Sequence, residues 1–562
     1  MTDLTIASAP ADIVAPVSGH SLADRLGALA GIDRGLILTG ISLSLAPLAL
    51  GLGFGFLTAL LRGGLSGFEA ETAYRILTAH GTSAFFWWLY VAQVALMLGL
   101  AAGESPDGLK GRPLILTGLV ALVLGIVVSE ATIGTRTPLL YDASPELGLE
   151  DPLAVAGMAC GYLLLALGLI LTSLAAIATV LRSSERELSA MGFGVLAWAG
   201  FLIVSGLAAV NAFLPNFLWG LGVGPFPAKA ATDWHILFHN LHYLPLMATV
   251  LMWYALTKSI TGVASAFGER FSKIVFAAYL VFVPPTSLYH MFLEPDLDEG
   301  VRVAGTLLSL FVSVPTLIAF LIIVSSLELA TRAKVGTSGL FGWIGHLPWR
   351  NPAFAAMGEA IVATLIGIVF AFVLIQEKFA PMISDTLFVP GYFHFFAVGA
   401  VSETFIAGLL LFITILRRRA IWRPGLMAAL PWVILFGLVL FGAGGMIAGI
   451  EGVPRRTMDV SYGGDAPASW HWLMLLFAVG GTIFAIALAV QVFGVLRTLI
   501  GRSGTAAPVA AATAPGPVPG SAAWTGPIAI VLVVAAMSVA TIATFDVMRA
   551  LPIVAVGGHS GH

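Results

Sequence analysis

Six histidines, His80, His235, His239, His242, His290 and His394, fall inside or beside long apolar stretches of this chain. An ionisable side chain at membrane depth costs about 3 kcal/mol unless it faces a partner or a polar interior. Neutral imidazole is a common ligand of metals and of heme iron. The plainer alternative is a histidine that hydrogen-bonds between helices. One histidine alone fits either account, whereas six spread over four stretches point to metal or heme binding. The other five sit elsewhere: His20, His559 and His562 near the termini, His346 in a loop, and His471 near a helix end.

Spacing sorts these residues further. His239 and Tyr243, within "FHNLHYLP" (238–245), are four apart and share a helix face. His235 extends that stripe and His242 lies to one side; both read as a polar stripe near the helix entrance. Tyr243 is the candidate redox or proton-donor phenol, or else an ordinary buried tyrosine with a bonded hydroxyl. In "LFVPGYFHFFAVGAV" (387–401), Tyr392 and His394 are two apart, so they point about 200° apart around a helix. They cannot serve one metal, but they can face two cofactors on opposite sides of one helix. Arg455 and Arg456, in "GVPRRTMDV" (452–460), suit two carboxylates or phosphates at the membrane face. Heme propionates fit, and lipid headgroups are the alternative.

These residues must be positioned by membrane helices. The 562-residue chain is 58% hydrophobic and 10% charged, with a mean hydropathy of +0.97; a soluble domain is about a quarter charged. A net charge of −3 gives no footprint for nucleic acid, and a lone Cys160 allows no internal disulfide. No cleavable signal peptide stands out. Apolar runs long enough to span fall near 35–61, 76–102, 113–135, 153–181, 190–214, 232–257, 272–293, 303–328, 353–376, 387–416, 425–450, 468–496 and 525–549. Thirteen such runs predict an all-α polytopic membrane protein, since lipid admits only helices or a closed barrel. With the N-terminus in the cytoplasm, 18 of the 27 basic residues fall on the cytoplasmic side, as the positive-inside rule requires. The loops on the other side are acidic, as in "DASPELGLED" (142–151) and "EPDLDEG" (294–300).

The expected organisation is a loosely ordered cytoplasmic segment (1–33), a transmembrane core (34–502), an Ala/Pro-rich linker (503–524), a last spanning helix (525–549) and an outer tail (550–562).

The chain resembles subunit I of the heme-copper terminal oxidases, most closely their B-type branch. The resemblance runs over nearly all the helical region. It is carried by "LTAHGTSAFFWWLYVAQ" (77–93), "HNLHY" (239–243), "VPPTSLYHMFLEPD" (283–296), "LELATRAKVGTSGLFGWIGHLPWRNPAF" (327–354), "VPGYFHFFAV" (389–398) and "GVPRR" (452–456). It implies the subunit I arrangement of about thirteen helices, with His80 and His394 as axial ligands of a low-spin heme of b type. Arg455 and Arg456 would bind its propionates. It also implies a second heme and a copper ion, with His239 and His290 as metal ligands and Tyr243 as the catalytic phenol. Tyr254, Thr306 and Ser309 match hydroxyl positions of the family's proton route, or pack between helices as such residues often do.

Three positions depart from the family pattern. Tyr392 stands where the family has the proximal histidine of the oxygen-reducing heme. Tyr289 replaces the first histidine of a pair, and Asn240 replaces a proline. All three bear on the second site. Tyr392 could still bind ferric iron as a phenolate. The implied activity is that of a respiratory cytochrome c oxidase, an oxidoreductase reducing oxygen to water with proton uptake. Open alternatives are a nitric oxide or other small-molecule reductase on the same scaffold, and a non-catalytic subunit with a single heme. Electrons would come from a separate subunit II-like partner or a cytochrome c. The expected setting is a bacterial or archaeal plasma membrane, in contact with lipid, with the C-terminus outside.

Overall fold

The computed structural model describes residues 21–184, 187–283, 300, 303–304, 313–335, 339–376, 379–457, 462–464, 466–501 and 523–551. Its main helices are α1 (Gly31–Arg62), α2 (Ala70–Gly103), α3 (Arg112–Thr135), α4 (Pro152–Leu181), α5 (Ala190–Gly220), α6 (Ala230–Thr261), α7 (Gly268–Phe282), α8 (Val314–Val335), α9 (Pro352–Leu374), α10 (Phe388–Arg417), α11 (Pro424–Ile450), α12 (Ala468–Ile500) and α13 (Thr525–Ala550).

Eleven of these are long and apolar enough to cross a membrane. The two that fall short, α6 and α7, explain the difference from thirteen. Helix α6 runs for 32 residues, but its first half carries Asp233, His235, His239, Asn240 and His242. Helix α7 ends at Phe282 where the described residues run out, so the expected run 272–293 is only partly described.

Each helix packs against its sequence neighbour in the pairs α3–α4, α4–α5, α5–α6 and α11–α12. Helix α12 also packs against α1, which brings the C-terminal half of the chain back onto the first two helices. At the centre lies α2, buried along almost its whole length, whereas α13 lies outermost with 11% of its apolar window buried. Glu328 of α8 holds the start of α13 by accepting the Thr525 backbone N–H at 2.9 Å.

One expectation needs correcting. Within the N-terminal segment 1–33, residues Leu22–Ala28 form a helix with a reciprocal capping box between Ser21 and Asp24. Burial of Leu26 and Leu29 orders it. Residues 1–20, all of the linker 503–524 but its last two residues, and all of the tail 550–562 but its first two lie outside the described residues.

Candidate heme site

His80 and His394 lie on α2 and α10, and each precedes an interruption of its helix. The α-helical winding of α2 loosens to π-helix over Thr82–Trp88, and that of α10 over Phe395–Ser402. Such widened turns recur at functional sites because they re-aim side chains without ending the helix. The two interruptions are tied together: the Trp88 indole donates to Ser402 Oγ at 2.8 Å. Periodicity in the sequence gives no sign of either.

The two imidazoles face each other with ring centres 6.2 Å apart and planes inclined by 13°. That is too far for stacking contact. An imidazole nitrogen bonds a first-row metal at about 2 Å, so two axial imidazoles on one metal place their ring centres about 6 Å apart. His80 Nδ1 donates to the Gly51 carbonyl at 2.8 Å, and His394 Nδ1 donates to the Pro390 carbonyl at 2.7 Å. A carbonyl can only accept, so each bond fixes the proton on Nδ1 and leaves Nε2 as the ligating lone pair.

Helix α1 makes room for this. A Cβ on Gly55 would come within 2.7 Å of the His80 ring, and a Cβ on Gly51 within 2.7 Å of the Ala84 backbone nitrogen. Glycine at both positions lets α1 approach α2 closely enough for the Gly51 carbonyl to reach His80.

Between the imidazoles opens a cavity of about 450 Å³, walled mainly by apolar side chains such as Leu48, Phe441, Phe477 and Phe484. Its polar end holds Arg455, Arg456 and Tyr141. Arg62 braces the arginine loop by donating to the carbonyls of Pro454 (3.3 Å) and Arg455 (2.8 Å). Arg455 pairs with Asp385 at 3.0 Å. Arg456 donates to Tyr141 Oη at 3.0 Å and lies over its ring. Yet the Nε–H of both arginines is buried with no acceptor among the described residues. Two unused cationic donors at one end of an apolar cavity suit two carboxylates, and a facing imidazole pair suits an iron porphyrin.

Beside the arginines a smaller cavity of about 320 Å³ takes in Asp142 and Glu146. Loss of water around Asp142 raises its carboxyl above the ordinary range, and Arg456 opposes that. For Arg456 itself, burial pulls downward, but Tyr141, Asp142 and Asp385 outweigh it and hold it above its ordinary value.

Tyr392 takes the other side of α10, against Phe388 and Phe396 with ring centres at 6.0 and 6.3 Å, and still edges the same cavity. Tyr243 of α6 is half-buried against the same core as Tyr392. His242 lines the cavity as well, wedged between Phe85 and Phe393 at 5.2 and 4.7 Å. That corrects the reading of His242 as part of a polar stripe at the helix entrance, because the turn of α6 carries it inward onto the cavity wall. The side chains of His235, His239 and Asn240, and all of Tyr289, His290, Thr306 and Ser309, lie outside the described residues. Among the described residues no three His, Cys, Asp or Glu side chains converge as a metal site.

The class defined by these features is a polytopic helical membrane protein with a facing histidine pair in an arginine-capped cavity. Residues 36–483 match the model of one family, Cytochrome C and Quinol oxidase polypeptide I, and the chain belongs to that family. It is 27% identical over 314 residues to cytochrome c oxidase subunit 1 of Thermus thermophilus. The match covers 55% of each, so the chain spans about half the length of that curated relative. In fold it is similar to a chain of a heme-copper terminal oxidase dimer solved by cryo-electron microscopy, with a TM-score of 0.78, 21% identity and 92% of each chain covered.

Proposed function

We propose that this chain is the subunit I-like component of a respiratory terminal oxidase of the cytochrome c oxidase type, of the B-type branch, holding a low-spin heme b between His80 and His394. The observation that carries this reading is the 6.2 Å separation of two imidazoles, each with its proton fixed on Nδ1 by a carbonyl bond so that Nε2 keeps its lone pair. A heme held by His80 and His394 would supply one-electron transfer. The protein's part is to fix both tautomers, to keep water off the ring with Phe441, Phe477 and Phe484, and to meet two propionates with Arg455 and Arg456.

Substrate chemistry would then fall to a second heme and a copper ion, for which the family resemblance offers Tyr392, His239, Tyr243, Tyr289 and His290. That centre would supply the reduction of oxygen to water, with Tyr243 as its phenol. Electrons arrive from a subunit II-like partner or a cytochrome c at the outer face. The charge bias of the loops supports a cytoplasmic N-terminus in a bacterial or archaeal plasma membrane.

Tyr392 favours a second reading. A phenolate ligand holds iron ferric more firmly than imidazole does, which opposes the reduction that oxygen binding needs. A nitric oxide or other small-molecule reductase, or a single-heme subunit without catalysis, follows if the second centre is rebuilt or lost. Reduced-minus-oxidised spectra of the purified protein, with and without carbon monoxide, and a count of heme, iron and copper decide. Two hemes with copper support the oxidase. Two hemes without copper support the other reductase, and one heme that ignores carbon monoxide leaves the non-catalytic reading. A colourless folded protein ends all three.

A further inference from the structure

Glu359 of α9, Glu403 of α10 and Gln491 of α12 are buried to 0%, 0% and 1% exposure in the middle of the bundle. Gln491 Nε2 donates to Glu403 Oε2 at 2.9 Å. Beyond that bond, both oxygens of Glu359, Oε1 of Glu403 and Oε1 of Gln491 reach no donor among the described residues. All four unused atoms are acceptors. Helices α9 and α10 meet along the widened turn Phe395–Ser402, where a Cβ on Gly399 would lie 3.3 Å from Glu359 Oε1. Glu403 follows Gly399 by one turn, so both carboxyl heads lie on one seam.

Among the described residues no cation balances them. The surrounding helices offer little else. Helix α11 carries no titratable side chain over Pro424–Ile450, and α12 carries His471 and Arg497 near its two ends. On α13, Asp546 and Arg549 lie in the last turns; on α6, Asp233, His235, His239, His242 and Tyr243 lie in the first half and Tyr254 and Lys258 in the last two turns; α2 brings Tyr90, α1 has Asp33 and Arg34 in its first turn and Arg62 at its end, and the helix Leu22–Ala28 brings Asp24 and Arg25; on α10 itself Tyr392 and His394 are more than two turns away, with Arg417 at the far end. Two carboxylates at membrane depth cannot both ionise without a partner. One proton placed between them turns an acceptor into a donor and leaves a single, delocalised charge beside the Gln491 amide.

We propose that Glu359 and Glu403 form a proton-binding site, sharing one exchangeable proton, with Gln491 positioning Glu403. The ligand is the proton itself, and the assignment stands whether or not the heme reading does. Among the described residues of the seam only Gln491 supplies a donor to either carboxyl.

The test is infrared spectroscopy of the full-length protein in lipid, in light and heavy water. A protonated-carboxyl band that shifts in heavy water at neutral pH is expected, and it should vanish in both Glu359→Gln and Glu403→Gln, because the proton belongs to the pair. Glu359→Asp should shift the band while keeping it, and serves if a glutamine variant does not insert. Gln491→Leu should move the band without removing it. The proposal fails if no band responds to either site, if one glutamine variant removes the band and the other leaves it untouched, or if the band appears only after sodium and potassium are withdrawn. That last result would make the pair a metal-cation site.

Discussion

The two faces of α10 are built differently. The face with His394 meets Phe441 at 4.6 Å, Phe484 at 6.1 Å and the His80 ring across the cavity, and its imidazole is fixed by one backbone carbonyl. The opposite face carries Tyr392, Phe396, Gly399 and Glu403 at helical spacing. It turns toward α9, where Phe396 lies against Gly367 and Glu359 against Gly399. One face is apolar and rigid around a single nitrogen. The other gathers a phenol and two acids whose acceptors outnumber their donors. An apolar wall that orients one ligand suits a cofactor that only exchanges electrons, while unsatisfied polar groups mark where protons or ligands are handled.

The sharpest way to break this contrast is to remove the imidazole. His394→Ala, or His80→Ala, should abolish the low-spin heme absorbance of the purified protein, while Tyr392→Phe should leave it intact. If the absorbance survives either alanine, the pair does not hold the heme. Next comes Tyr392→His, which restores an imidazole on the opposite face. It should create or strengthen a carbon monoxide-binding heme, read as a new difference spectrum; no change would count against a second heme pocket.

Arg456→Leu tests the capped end. Losing a charged hydrogen-bond donor is worth about 1.5–3 kcal/mol, or roughly ten- to hundredfold in heme retention, measurable by transfer to an apo-heme acceptor. Gly55→Ala pushes a methyl against His80, a crowding worth about 1–3 kcal/mol. It should alter the low-spin electron paramagnetic resonance signal while the carbon monoxide spectrum stays as it was.

The smallest effect concerns Asp142. Loss of water raises its folded-state value above the ordinary one, against the opposing pull of Arg456, so the folded protein holds that proton more tightly than the unfolded chain. The resulting stability is present at low pH and fades as pH rises through the folded value. Melting temperature measured against pH should show that decline, and Asp142→Asn should flatten it.

Much of this was legible from residue types alone. Long apolar runs give helices because the backbone must satisfy itself in lipid, and histidines within them stand out because membranes tolerate them poorly. The family, the arginine pair and the tyrosine at position 392 are matters of local sequence. The polar first half of α6 also fits a plain reading, since the histidines that make it interesting are what lower its apolar character.

Pairing across the chain is another matter. That His80 meets His394 at 6.2 Å, that Gly51 and Gly55 of a third helix fix the ring, and that both histidines precede widened turns joined by Trp88 and Ser402 all depend on which helices touch. Glu359 and Glu403 are isolated charges in the sequence and become a pair only where α9 meets α10. Helical periodicity reports only which side of its own helix a residue occupies. The identity of the neighbour on that side is set by the packing of the whole bundle, where small residues decide how closely two helices approach.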